Sequence, residues 1–159
     1  MPDNLWPVIV GSLITLAGVI VVTCTNMLMG RRQSSLEKQK QRRSKFEELV
    51  TAVYEYDSWV DARTNTLVYG APEQSAVSPL AKVEGIAAVY FPSFLPQIDG
   101  MKMAANEYHV WAAGAGLKRS QGDIAEVGLA VGEAYKPYLT ARAVLLAALI
   151  GFARNEFKP

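Results

Sequence analysis

A chain of 159 residues is long enough for one modest hydrophobic core and one membrane-spanning segment, and too short for two ordinary domains beside them. Its net charge of +1 hides an asymmetry: residues 30–45 carry seven basic side chains and one acid, and residues 46–159 carry nine basic and thirteen acidic ones. The mildly acidic C-terminal part argues against nucleic acid as a partner. The single cysteine, Cys24, excludes an intrachain disulfide.

Residues 6–29, following a short tail of residues 1–5, are predicted to form a transmembrane helix. They contain no charged side chain, and eleven of the 24 are Leu, Ile or Val. As a helix they would extend ~36 Å, which covers a hydrocarbon core of ~30 Å. A cleaved signal peptide would need a basic lead-in, whereas residues 1–5 hold one acid and no basic residue. We therefore expect a retained, single-pass anchor in the lipid bilayer.

The segment of residues 30–45 is basic and almost free of large apolar residues, which predicts a solvated helical stalk. By the positive-inside rule, the N-terminus then lies outside and the C-terminal domain in the cytoplasm, and the membrane we expect is a prokaryotic inner membrane. The same charges would attract anionic lipid headgroups, although their role as a topology determinant explains them better. The basic residues are Arg31, Arg32, Lys38, Lys40, Arg42, Arg43 and Lys45.

Every strong periodicity after the anchor is helical, so the expected fold is all-α, with a small four-helix bundle over residues 46–159. The first helix after the anchor is predicted over residues 34–69, ending at Gly70. The second is predicted to start with Ser78 as N-cap and Pro79 at its first position, and to reach residue 90. Apolar stripes on the first and third helices predict the core: Phe46, Leu49, Val50, Val53, Val60, Leu67 and Val68, then Phe94, Ile98, Met101, Ala105, Tyr108 and Ala112.

Prolines and glycines set the remaining boundaries. Pro92 and Pro96 predict a break, after which the third helix covers residues 93–113 and a loop covers 114–122. The fourth helix is predicted from Asp123 to residue 157, bent or divided at Pro137. Its end, residues 143–153, is apolar on nearly all faces. Because eleven residues are too few to cross a bilayer, we expect this stretch to be the central core helix.

A search for chemical sites yields no catalytic, cofactor or metal constellation. Residues 114–120 resemble a phosphate loop only faintly, because the Gly-Lys-Ser/Thr ending and a preceding strand are missing. His109 lacks the Glu-x-x-His spacing of a bundle metal site, and solvation explains the acidic residues of the first helix better than a metal does. We therefore predict that the protein is not an enzyme.

Two residue patterns suggest interactions. Gly11, Thr15, Gly18 and Thr25 lie on one face of the anchor, where small residues favour association of membrane helices and hence a homo-oligomer. Asp57 and Arg142 each interrupt an apolar stripe, so we predict that they meet as a buried ion pair between the first and last helices, with Asp61 as the alternative carboxylate. The competing interpretation is that Arg142 extends to water.

An N-terminal anchor, a basic stalk and a helical bundle together resemble small membrane proteins of prokaryotes and phages, a likeness of architecture without a shared motif. The expected function is a membrane-tethered scaffold, adaptor or regulatory protein that binds another protein at the cytoplasmic face. The alternative is a membrane-active effector whose apolar C-terminal helix perturbs the bilayer.

Overall fold

The computed structural model describes residues 5–72, 77–122 and 124–157. Before Leu36 the side chains it describes are Val19, Thr25 and Met27, and in the first turns of the last helix only Val127. The helices are α1 (Leu5–Tyr69), α2 (Leu80–Tyr90), α3 (Leu95–Ser120) and α4 (Ile124–Glu156), with a 3-10 turn at Pro92–Phe94. No strand occurs in these ranges, so the all-α prediction is confirmed.

The chain divides into two compact units, Met1–Arg42 and Arg43–Pro159. In the first unit the described backbone is helical, and residues 36–42 are exposed. In the second unit, the C-terminal part of α1 packs with the other three helices, and Phe46 is the first residue to be buried.

Pairs of side-chain contacts give the direction of each helix in the bundle. Phe46 meets Phe152 and Asp57 meets Arg142, so α1 and α4 are antiparallel. Lys45 meets Tyr90 and Glu55 meets Lys82, so α1 and α2 are antiparallel as well. By contrast, α3 runs parallel to α1, because His109 approaches Val60 and Arg119 donates to Val68. The bundle is therefore up-down-up-down.

The core differs between the two ends of the bundle. At the end where Phe46 lies, five phenylalanine rings pack at centroid distances of 5.3–6.2 Å. At the opposite end, a second cluster consists of smaller side chains. The rings belong to Phe46, Phe91, Phe94, Phe152 and Phe157, and the second cluster to Val68, Ala112, Ala115 and Val127. The six core residues predicted for the third helix are all buried, with Phe94 in the 3-10 turn and the other five on α3.

The helix ends follow the sequence signals closely. Gly70 has a φ of +66° and its N–H donates to the carbonyl of Thr66, which ends α1 in a left-handed C-cap that favours glycine. The helix α2 begins at Leu80 with Pro79 at its N-cap position, one residue later than predicted, and the hydroxyl of Ser78 accepts from the N–H of Leu80 at 3.3 Å. The predicted cap Asp123 lies outside the described residues.

The predicted loop over residues 114–122 is wrong, because α3 continues to Ser120. A Cβ atom at Gly116 would overlap the carbonyl oxygen of Leu67, and its distance to the carbonyl carbon would be 3.2 Å. Glycine therefore lets α3 and α1 approach at backbone distance. This close packing offsets the cost of about 1 kcal/mol that glycine normally adds inside a helix.

The prediction that residues 143–153 form the central core helix is also wrong. Leu145 and Leu149 are buried, but Val144 and Ile150 on the opposite side of α4 are exposed. Pro137 lies inside α4 and does not divide it, so the apolar residues belong to one helix of 33 residues.

One helix of the described part is long and apolar enough to cross a membrane. It is Ala130–Glu156 within α4, and 17% of its most apolar stretch is buried in the bundle. This finding places the candidate span near the C-terminus, in a segment for which the sequence had suggested a helix too short to cross. The predicted anchor, residues 6–29, has a helical backbone within α1, but most of its side chains lie outside the described residues.

Candidate functional site

A network of charged and phenolic side chains joins α1 to α4. The Nη2 atom of Arg142 lies 2.8 Å from Oδ2 of Asp57, and the hydroxyl of Tyr138 donates to Oδ1 of the same carboxylate at 2.9 Å. The structure thus brings together the two residues that interrupt the apolar stripes. Their side chains are 28% exposed for Arg142 and 14% for Asp57, and Tyr138 is fully buried. Both carboxylate oxygens of Asp57 therefore have a partner on α4.

A second carboxylate extends this network by one helical turn. The hydroxyl of Tyr135 donates to Oδ1 of Asp61 at 3.2 Å. Desolvation and the nearby charge of Asp57 raise the pKa of Asp61 above its ordinary value. Arg142 therefore pairs with Asp57, and the alternative partner Asp61 is held by a tyrosine instead.

Tyr56 of α1 should make the bundle less stable at alkaline pH. Its ring is buried, and burial raises the pKa of its hydroxyl to about 12. The raised pKa contributes stability that is complete below pH 10 and is lost as the pH rises through 12, because the unfolded chain releases the proton first. We expect the free energy of unfolding to fall by about 1 kcal/mol more in the wild type than in Tyr56→Phe between pH 9 and pH 11, after allowing for solvent screening. Urea unfolding of both proteins at the two pH values measures this difference, and equal losses would contradict it.

His109 holds α3 against α1. Its Nε2 atom lies 3.5 Å from the carbonyl oxygen of Val60, and its ring meets Trp59 edge to face at a centroid distance of 5.5 Å. Burial lowers the pKa of His109 below its ordinary value, which favours the neutral ring. This environment suits a packing role.

Three further acidic residues of α1, all glutamates, form ion pairs. Glu55 pairs with Lys82 at 3.3 Å, and Glu47 and Glu48 pair with basic residues of the preceding turn. Within the described residues, no group of three His, Cys, Asp or Glu side chains could hold a metal ion.

The basic segment is partly engaged by those acids. Arg43 pairs with Glu47 at 3.2 Å and Lys45 with Glu48 at 2.7 Å, whereas Lys38 and Lys40 are exposed. The side chains of Arg31, Arg32, Gly11, Thr15 and Gly18 lie outside the described residues, and Arg42 and Thr25 are exposed. Sequence reasoning missed the two ion pairs, although spacings of three and four residues signal them.

Residues 114–120, the last turns of α3, pack beside the C-terminus of α1 and contact it through Arg119. The guanidinium of Arg119 donates to the carbonyl of Val68 at 3.2 Å and stacks over the ring of Tyr69 at 5.2 Å. It thereby satisfies one of the carbonyl groups that a helix leaves open at its C-terminus. The resemblance to a phosphate loop has this structural explanation.

The surface feature that best fits recognition of another molecule is the outward side of α4, which we call the α4 outer face. Its residues are Leu139, Thr140, Ala143, Val144, Ala147 and Ile150. Leu139 is 40% exposed, Val144 55% and Ile150 53%, and the face carries no charge between Lys136 and Arg154. A mostly apolar cavity of about 220 Å³ lies between α3 and the N-terminal part of α4, lined by Trp111, Gly114, Ala115, Lys118, Val127 and Ala130.

Comparison of the chain with protein-family models, curated proteins and solved structures finds no match in any of the three. The class of protein is therefore defined by the fold and surface alone: an all-helical bundle with an uncharged, apolar outer helix face.

Proposed function

We propose that the protein is a membrane-tethered helical scaffold whose bundle binds another protein at the cytoplasmic side of the membrane. The observation that carries the proposal is the α4 outer face. A helix on the surface of a bundle normally directs polar residues to water, whereas this face presents three large apolar side chains over about three turns.

The chemistry of the face favours a helical protein partner. Ala143 and Ala147 are small and leave a shallow track between Leu139, Val144 and Ile150. An amphipathic helix binds such a track through apolar side chains at spacings of three, four and seven residues. The partner that we propose therefore carries an apolar helix face flanked by acidic residues, opposite Lys136 and Arg154.

The tether in this proposal is the uncharged segment of residues 6–29. Its composition suits a bilayer, and the basic residues that follow it support an outside N-terminus and a cytoplasmic bundle. A prokaryotic inner membrane remains the setting that we propose.

A second candidate function is the membrane-active effector, which the length and composition of Ala130–Glu156 favour. Insertion of this helix would take Arg142 out of its pair with Asp57 and into the middle of the bilayer. A charge at that depth costs at least about 2.5 kcal/mol, which is why the scaffold is the better-supported function.

Photo-crosslinking tests the scaffold proposal. A photoreactive amino acid at Ala147 of the full chain in native membranes is expected to yield one discrete protein adduct. The same probe at Ser58, an exposed residue of α1, should yield none. Val144→Glu should remove the Ala147 adduct because it places a charge in the apolar track, and Ser58→Glu should leave it intact.

Equal labelling from both positions would overturn the proposed binding face. A membrane-potential dye added to cells that express the chain separates the two functions: depolarisation supports the effector, and an unchanged potential supports the scaffold.

A further inference from the structure

The solvent-facing side of α3 carries a second row of exposed residues, distinct from the α4 outer face. We call it the α3 seam, and it consists of Met103, Asn106, Val110, Ala113 and Leu117. Met103 is 64% exposed, Val110 76% and Leu117 63%. The spacings alternate between three and four residues, which is the period of a coiled-coil contact.

We propose that the α3 seam is the interface of a parallel homodimer, in which it packs against the same seam of a second copy of this chain. In heptad terms Met103, Val110 and Leu117 occupy the a positions, and Asn106 and Ala113 the d positions. The opposite side of α3, including Ala105, Tyr108 and Ala112, faces the core of its own bundle. The helix α3 therefore has two apolar faces of heptad-like spacing. One packs against the core of its own bundle, and the other is exposed.

The charges beside the seam support a second copy as the occupant. Lys102 precedes the first a position and Glu107 follows the first d position, so the two residues are five apart. In a parallel pair this spacing places Lys102 of each copy beside Glu107 of the other. Glu107 is exposed and forms no ion pair within the described part of the chain. Lys102 lies 2.7 Å from Glu84 of its own bundle, so in the dimer its ammonium would lie between two carboxylates.

An antiparallel pair lacks this complementarity. It would place Lys102 of one copy opposite Gly116 of the other, and the two His109 residues opposite each other. Lys102 would then face no acidic residue across the interface. The pattern of charge thus favours the parallel orientation.

The residues at the d positions fix the register. A polar Asn106 meets its own copy only when the two helices are aligned without an offset, and a single polar residue in a seam selects one register at some loss of affinity. Ala113 is small enough to let the helices approach closely between the larger a residues. The seam extends about 20 Å along the helix, which predicts a weak, reversible dimer.

Disulfide trapping tests the position of the interface in the full chain. In a Cys24→Ser background, Val110→Cys is expected to form a covalent dimer on mild oxidation, because residues at an a position face their own copies. Ser58→Cys, on an exposed part of α1, is the matched control and should stay monomeric. Absence of a dimer at Val110→Cys, or equal trapping at both positions, would overturn the proposal.

Charge exchange tests the orientation and separates this interface from association through other surfaces. Glu107→Lys should repel its own copy through Lys102, and Lys102→Glu should do the same through Glu107. Each variant alone is expected to trap about tenfold less dimer at Val110→Cys. A mixture of the two should recover wild-type trapping, since each lysine then faces a glutamate. Unchanged trapping in the single variants, or no recovery in the mixture, would contradict the parallel dimer.

Discussion

Replacing Arg142 with methionine is expected to lower the free energy of unfolding by about 3 kcal/mol, because it leaves the Asp57 carboxylate without its cation in a mostly buried position. The distance of 2.8 Å and the low exposure of Asp57 carry this expectation. The value is the lower end for a buried pair, since Arg142 keeps part of its side chain in water. Urea unfolding followed by tryptophan fluorescence measures it, with Arg154→Met, an exposed residue of the same helix, as the control expected to change little.

A double-mutant cycle isolates the interaction between the two charges. Arg142→Met combined with Asp57→Leu removes both, and Tyr138→Phe should be present in all four proteins so that its hydroxyl is never left without an acceptor. We expect a coupling energy of about 2 kcal/mol. A coupling energy near zero would show that the contact contributes nothing to stability.

Replacing Gly116 with alanine is expected to destabilise the bundle by about 2–3 kcal/mol, because the added methyl group overlaps the backbone of Leu67 and two helices must separate to admit it. Gly114, two residues earlier in the same helix, has nothing within 4 Å of an added Cβ atom. Gly114→Ala should therefore stabilise the protein, by up to about 1 kcal/mol. The opposite signs of two identical substitutions are the result to look for in thermal unfolding, and a shared sign would contradict the close approach of α1 and α3.

The sequence was most informative where a side chain conflicts with its surroundings. Asp57 and Arg142 could be proposed as partners in advance because a charge on an apolar stripe needs a partner or a route to water, and the closure of a bundle brings its first and last helices together. The helix end at Gly70 was readable for a similar reason, since glycine favours the left-handed conformation that a C-cap requires.

The errors came from contacts between helices that local signals do not report. Gly114 and Gly116 indicate a loop when they are considered alone, and only the packing of α3 against Leu67 explains why the helix continues. The apolar character of residues 143–153 predicted burial on all sides, but each helix of a four-helix bundle buries only the side that faces the other three. The α3 seam was overlooked because the stronger stripe of buried residues on the same helix masked its period.

The contrast between the five phenylalanine rings at one end of the bundle and the small side chains at the other implies that the domain does not loosen evenly. The packed phenylalanine rings lose many van der Waals contacts when the helices separate, whereas alanine and valine beside a cavity of about 220 Å³ lose few. Local opening should therefore begin among the small side chains of the second cluster, Val68, Ala112, Ala115 and Val127, and become less frequent toward Phe46. The helices should therefore separate first at the end with small side chains and last at the end with the phenylalanine rings.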